Sequence, residues 1–387
     1  MTPSAATEPP LAGENVFAKH FAGVTDPRIE RRKEHLLIDI LGLTVCAAIC
    51  GADGFVSTEE YGKSNKDWLE RFLKLPSGIP SHDTIGGVLA RIDPEEFEEG
   101  LREWTATIFE KTEGEVVAID GKTLRRSYDS ASKKAALHMV SAWASEDHQQ
   151  GNLTLGQVKT ADESNEITAI PELLELLDVS GCLVTIDAMG CQKDITEKIV
   201  EGGASDYVLG LKGNQGELRR DTEAIFEQVG ESKGDFCKSV HGDHGRVEVR
   251  RCQVLEVAGK GLVDTEGWEG LRTVCRVESE RHLKGGDVQQ ETRYFISSLG
   301  ADAEELLEAT RTHWHIENKL HWVLDVAFRE DENRIRSGHA AENMAGVRRL
   351  ATSLLENETT SSVGIKNKRL KAAWDEEYLL KVLRAIN

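Results

Sequence analysis

Two short apolar runs, each closing on an aspartate, constrain this chain more than any other feature. "EVVAID" ends at Asp120 and "CLVTID" at Asp187, and each is followed by a small residue, Gly121 or Ala188. Runs of this length and β-branched content read as buried strands. Between and after them come "LHMVSAWA" (137–144), the alternating "LTLGQVK" (153–159), "NEITAIPELLELLDVSG" with one helical apolar stripe, "QKDITEKIVEGG", and "DYVLGLKGNQ". The predicted order from Glu115 is therefore strand, strand, strand, helix, strand, helix, strand, an α/β sheet. In open α/β sheets the functional crevice lies at the carboxyl ends of strands, where both aspartates fall. Either one alone reads more readily as an ordinary polar strand exit in a chain with 67 acids. As a pair on neighbouring strands they can share a hard divalent cation, which takes oxygen ligands and keeps waters for a phosphate substrate.

The flanks read differently. Residues 1–14 are expected to be a flexible tail, and 15–112 a helical domain with a DNA-binding role suggested by its position. Within it Asp26-Pro27 is predicted to open a helix, and Ser81 or Asp83 to cap another. The α/β core occupies 113–234. Residues 235–300 ("GRVEVRRCQVLEV", "RTVCRVESER", "ETRYFISSL") alternate between turns and predict an antiparallel β-rich insertion. Residues 301–387 return to helix, first from about Ala303 to Val326, then in C-terminal segments such as "AAENMAGVRRLATSLLEN".

The first of these helices carries "RTHWHIENKLHW" (311–322). In a regular helix Glu317, His313 and His321 share one face, beside an apolar stripe of Ile316, Leu320, Val323 and Ala327. Such a face is compatible with zinc, with a plain amphipathic helix, or with a third carboxylate delivered to the two aspartates. No HExxH pattern or nearby cysteine supports zinc.

Composition narrows the classes. No window approaches the roughly 18 uninterrupted apolar residues of a membrane span. Seven cysteines without a CxxC pair read as reduced thiols in a cytoplasmic chain. The net charge of −20 opposes nucleic-acid binding, but charge distribution matters more than its sum. Lys122, Arg125, Arg126, Lys133 and Lys134 crowd 116–145, and 359–373 is basic and free of acids.

"VVAIDGKTLRRS", "VTIDAMGCQKD", "YVLGLKGNQ" and "HWHIENKLHWVLDVAFREDENRIR" together resemble bacterial insertion-sequence transposases with a DDE catalytic domain, the H-repeat-associated group in particular. The resemblance runs from about Phe17 to the C-terminus. It implies an RNase H-like mixed sheet core with the β-rich insertion between the second Asp and the Glu. By motif the catalytic, metal-binding triad is Asp120, Asp187 and Glu317. The implied cofactor is Mg²⁺ or Mn²⁺ as two ions, roughly 3.5–4 Å apart in such sites. The implied partners are double-stranded DNA, as element terminal inverted repeats and target, and a second copy of the chain on the DNA at the bacterial nucleoid. Water would first nick an element end, and the freed 3′-hydroxyl would then attack target DNA. Lys122, Arg125, Arg126, Lys212, Arg246, His313, Trp314, Arg334 and Arg336 are the candidate DNA contacts. One departure stands out. The broader branch carries Tyr-x2-Arg-x3-Glu-x6-Lys, whereas these positions hold Thr310, His313, Glu317 and Leu324. Lys319, Arg329, Arg334 or Arg336 are candidates to replace the missing Lys. Asp325, Glu330 and Asp331 are rival third carboxylates.

Overall fold

The computed structural model describes residues 16–108, 115–128, 135–145, 152–160, 166–230, 233–243, 246–258, 263, 265–282 and 287–384. The tail at 1–14 lies outside them. Six helices come first: α1 (Val16–Phe21), α2 (Leu37–Ile49), α3 (Phe55–Ser64), α4 (Lys66–Leu69), α5 (His82–Leu89) and α6 (Pro94–Ile108). Ser81 does cap α5, its Oγ accepting from the Thr84 N–H at 3.3 Å. Asp26-Pro27 opens no α-helix. Asp26 instead grips the Arg28 guanidinium at 2.7 and 2.9 Å, and regular helix waits until Leu37. Asp39, the one acid in the apolar run of α2, is buried and accepts the backbone N–H groups of Lys74 and Leu75. It thereby satisfies a turn in which Leu75 sits at φ 41°.

The sheet begins with β1 (Val116–Thr123), β2 (His138–Ser145) and β3 (Leu153–Lys159), continues after α7 (Glu166–Leu176) with β4 (Leu183–Ile186), and after α8 (Lys193–Glu201) with β5 (Asp206–Leu211). The strand and helix order anticipated from the sequence is the one present. α9 (Gly216–Val229) was not anticipated, because only Leu218, Ile225 and Phe226 mark its buried face. The insertion supplies β6 (Asp235–Asp243), β7 (Arg246–Glu256), β8 (Thr273–His282) and β9 (Val288–Ser297). It does not form a sheet of its own. β9 pairs antiparallel with β5, from Val208↔Ser297 to Leu211↔Tyr294, giving one nine-stranded sheet in the order β3-β2-β1-β4-β5-β9-β8-β7-β6.

Alternation along β1 sorts its two faces. Val117 and Ile119 pack with Ala169, Ile170 and Leu173 of α7. Ala118 joins the opposite core, with the C-terminal helices. There α10 (Ala303–His313) leads through a π-helical turn (Ile316–His321) into α11 (Trp322–Val326), followed by α12 (Ala340–Asn357), α13 (Ile365–Trp374) and α14 (Glu376–Arg384). The single helix expected over 303–326 is thus broken at Trp314–His315. α12 runs through the middle of this core and touches α2, α6, β3 and α13. Much of the basic charge near the C-terminus is structural. Buried Lys368 donates to the Leu355 and Glu358 carbonyls, and buried Arg369 to that of Ala48. Among the described residues no helix is long and apolar enough to cross a membrane.

Candidate active site

Parallel pairing of β1 with β4 ends at Ile119↔Ile186, so Asp120 and Asp187 are the next residues on adjacent strands. β1 itself continues past Asp120 to Thr123, because antiparallel β2 pairs with it that far. Asp120 is therefore inside a strand, opposite Ser141, rather than at its exit. Asp187 does leave the sheet, and its Oδ1 accepts the Met189 N–H at 2.8 Å. That turn is braced by the "KGNQ" segment: Asn214 donates to the Ala188 carbonyl at 2.7 Å and Gln215 to that of Cys191 at 2.9 Å. Gly210 of β5 allows the approach, since a Cβ there would meet the Ala188 nitrogen at 3.0 Å.

α10 and the π turn bring Glu317 over these strands. Asp120, Asp187 and Glu317 line one cleft of about 220 Å³, with Lys212, Arg219, Arg293, His313 and Trp314 also on its walls. Burial and the charges of Asp187, Glu166 and Glu317 raise the Asp120 pKa to about 8, despite the Gly121 backbone hydrogen bond. Asp187 is also raised, first by burial and then by Glu166, with Lys212 opposing. Burial is the main cause at both carboxylates, with neighbouring acids adding to it. The three rival acids have partners. Asp325 holds Lys122 Nζ at 2.7 Å, Asp331 holds Arg125 Nε at 3.1 Å, and buried Glu330 faces Arg349 at 3.2 Å and Arg348 at 3.7 Å.

His313 and His321 both turn toward the sheet, His313 onto β4 and His321 onto β1, across the π turn, while Glu317 is exposed. His313 is buried with Nδ1 3.1 Å from the Thr185 hydroxyl, and burial lowers its pKa to about 4. Contact with DNA through a protonated ring is thus ruled out, and the neutral ring ties α10 to β4. His321 Nδ1 lies 3.5 Å from Asp120 Oδ2, and burial, then Arg349 and Lys122, lower its pKa to about 3. The pair is thus an uncharged imidazole beside a carboxyl group, not an ion pair.

The candidate DNA contacts divide. Lys122 is buried between Asp325 and Asp331 at 2.7 and 3.7 Å, which corrects its reading as a DNA contact. Arg125 and Arg126 are exposed just beyond β1, and Arg126 lends its carbonyl to Arg336 Nε at 3.1 Å. Arg336 also covers the Tyr128 ring at 5.2 Å. Lys212 and Arg334 are exposed. The Arg246 side chain lies outside the described residues. Trp314 is half-buried under the Arg293 guanidinium, 4.2 Å from its ring, whereas Trp322 is 61% exposed. Leu324, at the missing-Lys position, is fully buried.

Sequence reasoning missed Glu166, the first residue of α7, whose charge acts on both aspartates. Its meaning depends on residues far away in the chain, and no local motif marks it.

Comparison with known proteins agrees with this architecture. Residues 111–354 match the family described as Transposase DDE domain, and residues 18–105 the one described as DDE_Tnp_1-associated. The chain is 41% identical over 370 residues to "H repeat-associated putative transposase YhhI" of Escherichia coli (strain K12), covering 94% of this chain and 97% of that protein. It is 44% identical over 364 residues to "Putative transposase YncI" of Escherichia coli O157:H7, covering 93% and 92%. With its mixed sheet, its helical flanks and these matches, the chain belongs to the DDE transposase family.

Proposed function

We propose that this protein cuts DNA at the ends of an insertion element and joins the freed 3′ end to target DNA, with Asp120, Asp187 and Glu317 as the catalytic carboxylates. The observation that carries this reading is that these three line one cleft, while Asp325, Glu330 and Asp331 are each held by a cation. The donor set is all carboxylate oxygen, which fits Mg²⁺ or Mn²⁺. Among the described residues no three His, Cys, Asp or Glu side chains stand close enough together to hold a metal ion, so the three carboxylates would have to draw in around one. Bound there, a divalent pair would activate the attacking oxygen and stabilise the leaving one.

The chain's own groups then position and exclude. Lys212, Arg219 and Arg293 on the cleft wall receive phosphates, and Trp314 offers a ring face for an unpaired base. Arg125, Arg126 and Arg334 extend the contact outward, and a second copy of the chain holds the other element end. Neutral His321 keeps a hydrogen-bonding nitrogen beside Asp120 without adding charge.

The test is Asp120→Asn, Asp187→Asn and Glu317→Gln in nicking and strand-transfer assays with Mg²⁺ or Mn²⁺. Each should lower the rate on the order of a hundredfold or more, since metal charge stabilisation contributes several kcal/mol, while DNA affinity changes little. A Glu317→Gln protein of full activity would move the third carboxylate elsewhere. Nicking without any joined product from a 3′-hydroxyl donor would make the protein a nuclease only.

A further inference from the structure

Behind β1, on the face opposite Asp120, a second carboxylate is held in place by a chain of contacts that the triad does not require. Glu166 Oε1 is 2.8 Å from His138 Nε2, and His138 Nδ1 is 2.7 Å from the Thr123 hydroxyl. Thr123 and His138 are cross-strand partners on β1 and β2, so the imidazole is fixed by the sheet itself. Space for the carboxylate comes from Gly121, the residue after Asp120. A Cβ on Gly121 would stand 2.1 Å from Glu166 Oε1 and 2.5 Å from His138 Nε2. No atom can occupy that position while Glu166 stays. The small residue after the first aspartate is thus matched to this carboxylate, and among the described residues no lysine or arginine lies within ion-pair distance of Glu166, which is held by the His138 ring. A further negative charge near Asp120, Asp187 and Glu317 opposes folding, so a structural role alone accounts poorly for it.

We propose that Glu166 is a fourth carboxylate of the site, a positioning residue that His138 orients and that strengthens divalent-cation binding at Asp120 and Asp187. This rests on the reading of those aspartates as cation ligands. Glu166 would hold the hydration shell or the ligand geometry of the cation, the role outer carboxylates play around metal sites.

The experiment is Mn²⁺ titration of the full chain without DNA, following free Mn²⁺ by electron paramagnetic resonance. Wild type, Asp120→Asn, Glu166→Gln and His138→Gln would be compared, with thermal unfolding in EDTA alongside. Glu166→Gln should weaken Mn²⁺ binding about 10- to 100-fold at an unchanged unfolding midpoint in EDTA, and its DNA nicking should recover when Mn²⁺ is raised by the same factor. His138→Gln should shift binding in the same direction by less. Glu166→Gln binding Mn²⁺ like wild type, with Asp120→Asn deficient, overturns the proposal and leaves the triad standing. Wild type without Mn²⁺ binding overturns both. Should Glu166→Gln not unfold cooperatively, His138→Gln decides, and unchanged Mn²⁺ affinity there counts against the proposal.

Discussion

Single residues carry charge into places where the chain can tolerate it only with help. Asp39 and Glu330 are buried and partnered, and Asp120 is nearly so without a cation. Glu98 is the clearest case away from the cleft. It joins α6 to β3, its carboxylate accepting the Gln157 backbone N–H at 3.1 Å and side-chain N–H at 3.0 Å. Burial raises its pKa to about 7, against the lowering effects of Gln157, Arg102 and Arg349. The folded state therefore holds this proton more tightly than the unfolded chain does. Stability from Glu98 is complete below the unfolded value of 4.5 and is lost as pH rises through about 7. Glu98→Gln should flatten the fall in urea-unfolding stability between pH 4.5 and 8 and leave the acid side little changed. An unaltered slope in that window would show that Glu98 is not the group responsible. Legibility at this scale follows sequence distance. Asp120 and Asp187 announce themselves because four apolar neighbours define each strand. Glu166 does not, because His138 and Gly121, which give it meaning, lie in other strands.

Among the elements, the turn at Ile316–His321 separates what periodicity can and cannot predict. The apolar stripe of Ile316, Leu320 and Val323 was readable and is buried. The π turn itself was not, because it leaves no compositional mark. Wide turns of this kind are common at functional sites, and this one places exposed Glu317 over the cleft while Leu320 and Leu324 stay in the core. Deleting exposed Asn318 would restore α-helical phase and rotate every later residue of the element by about 100°. The Leu320 and Leu324 side chains would leave their pockets, and burial of one such side chain is worth about 1.5–3 kcal/mol. The deletion should lower the thermal midpoint and abolish cleavage although Glu317 itself is retained. Asn318→Ala, which removes only the 2.9 Å bond to the Trp314 carbonyl, should do neither. A deletion variant as stable and active as wild type would mean that the wide turn has no role.

For the whole molecule, the sequence divides more readily than the structure does. Composition shifts near residues 113, 235 and 300 suggest separable parts, and two family matches meet between residues 105 and 111. Three-dimensional packing erases both divisions. The insertion is joined to the catalytic strands through β5 and β9, and Arg293 and Tyr294 of β9 line the cleft. Such pairing is invisible in a linear reading because the register links strands about 90 residues apart, as the Ser297–Tyr207 hydrogen bond illustrates. The N-terminal helices share one core with the C-terminal ones: Phe17, Leu43, Leu89 and Trp104 cluster with Ile316, Leu320, Met344 and Leu354. Asn343 of α12 reinforces the seam, its side chain donating to the Leu89 carbonyl at 2.8 Å. A helical region presenting only DNA would not bury its apolar stripe against the helix that follows Glu317. Removing residues 1–108 would expose that whole face of α12 and the π turn, an apolar loss far beyond the roughly 5–15 kcal/mol by which a domain is stable. The truncated chain should show no cooperative unfolding transition by circular dichroism and should not bind Mn²⁺, even though Asp120, Asp187 and Glu317 all remain. A truncated protein that unfolds cooperatively and still cuts DNA would restore the N-terminal region to the status of a separable DNA-binding module.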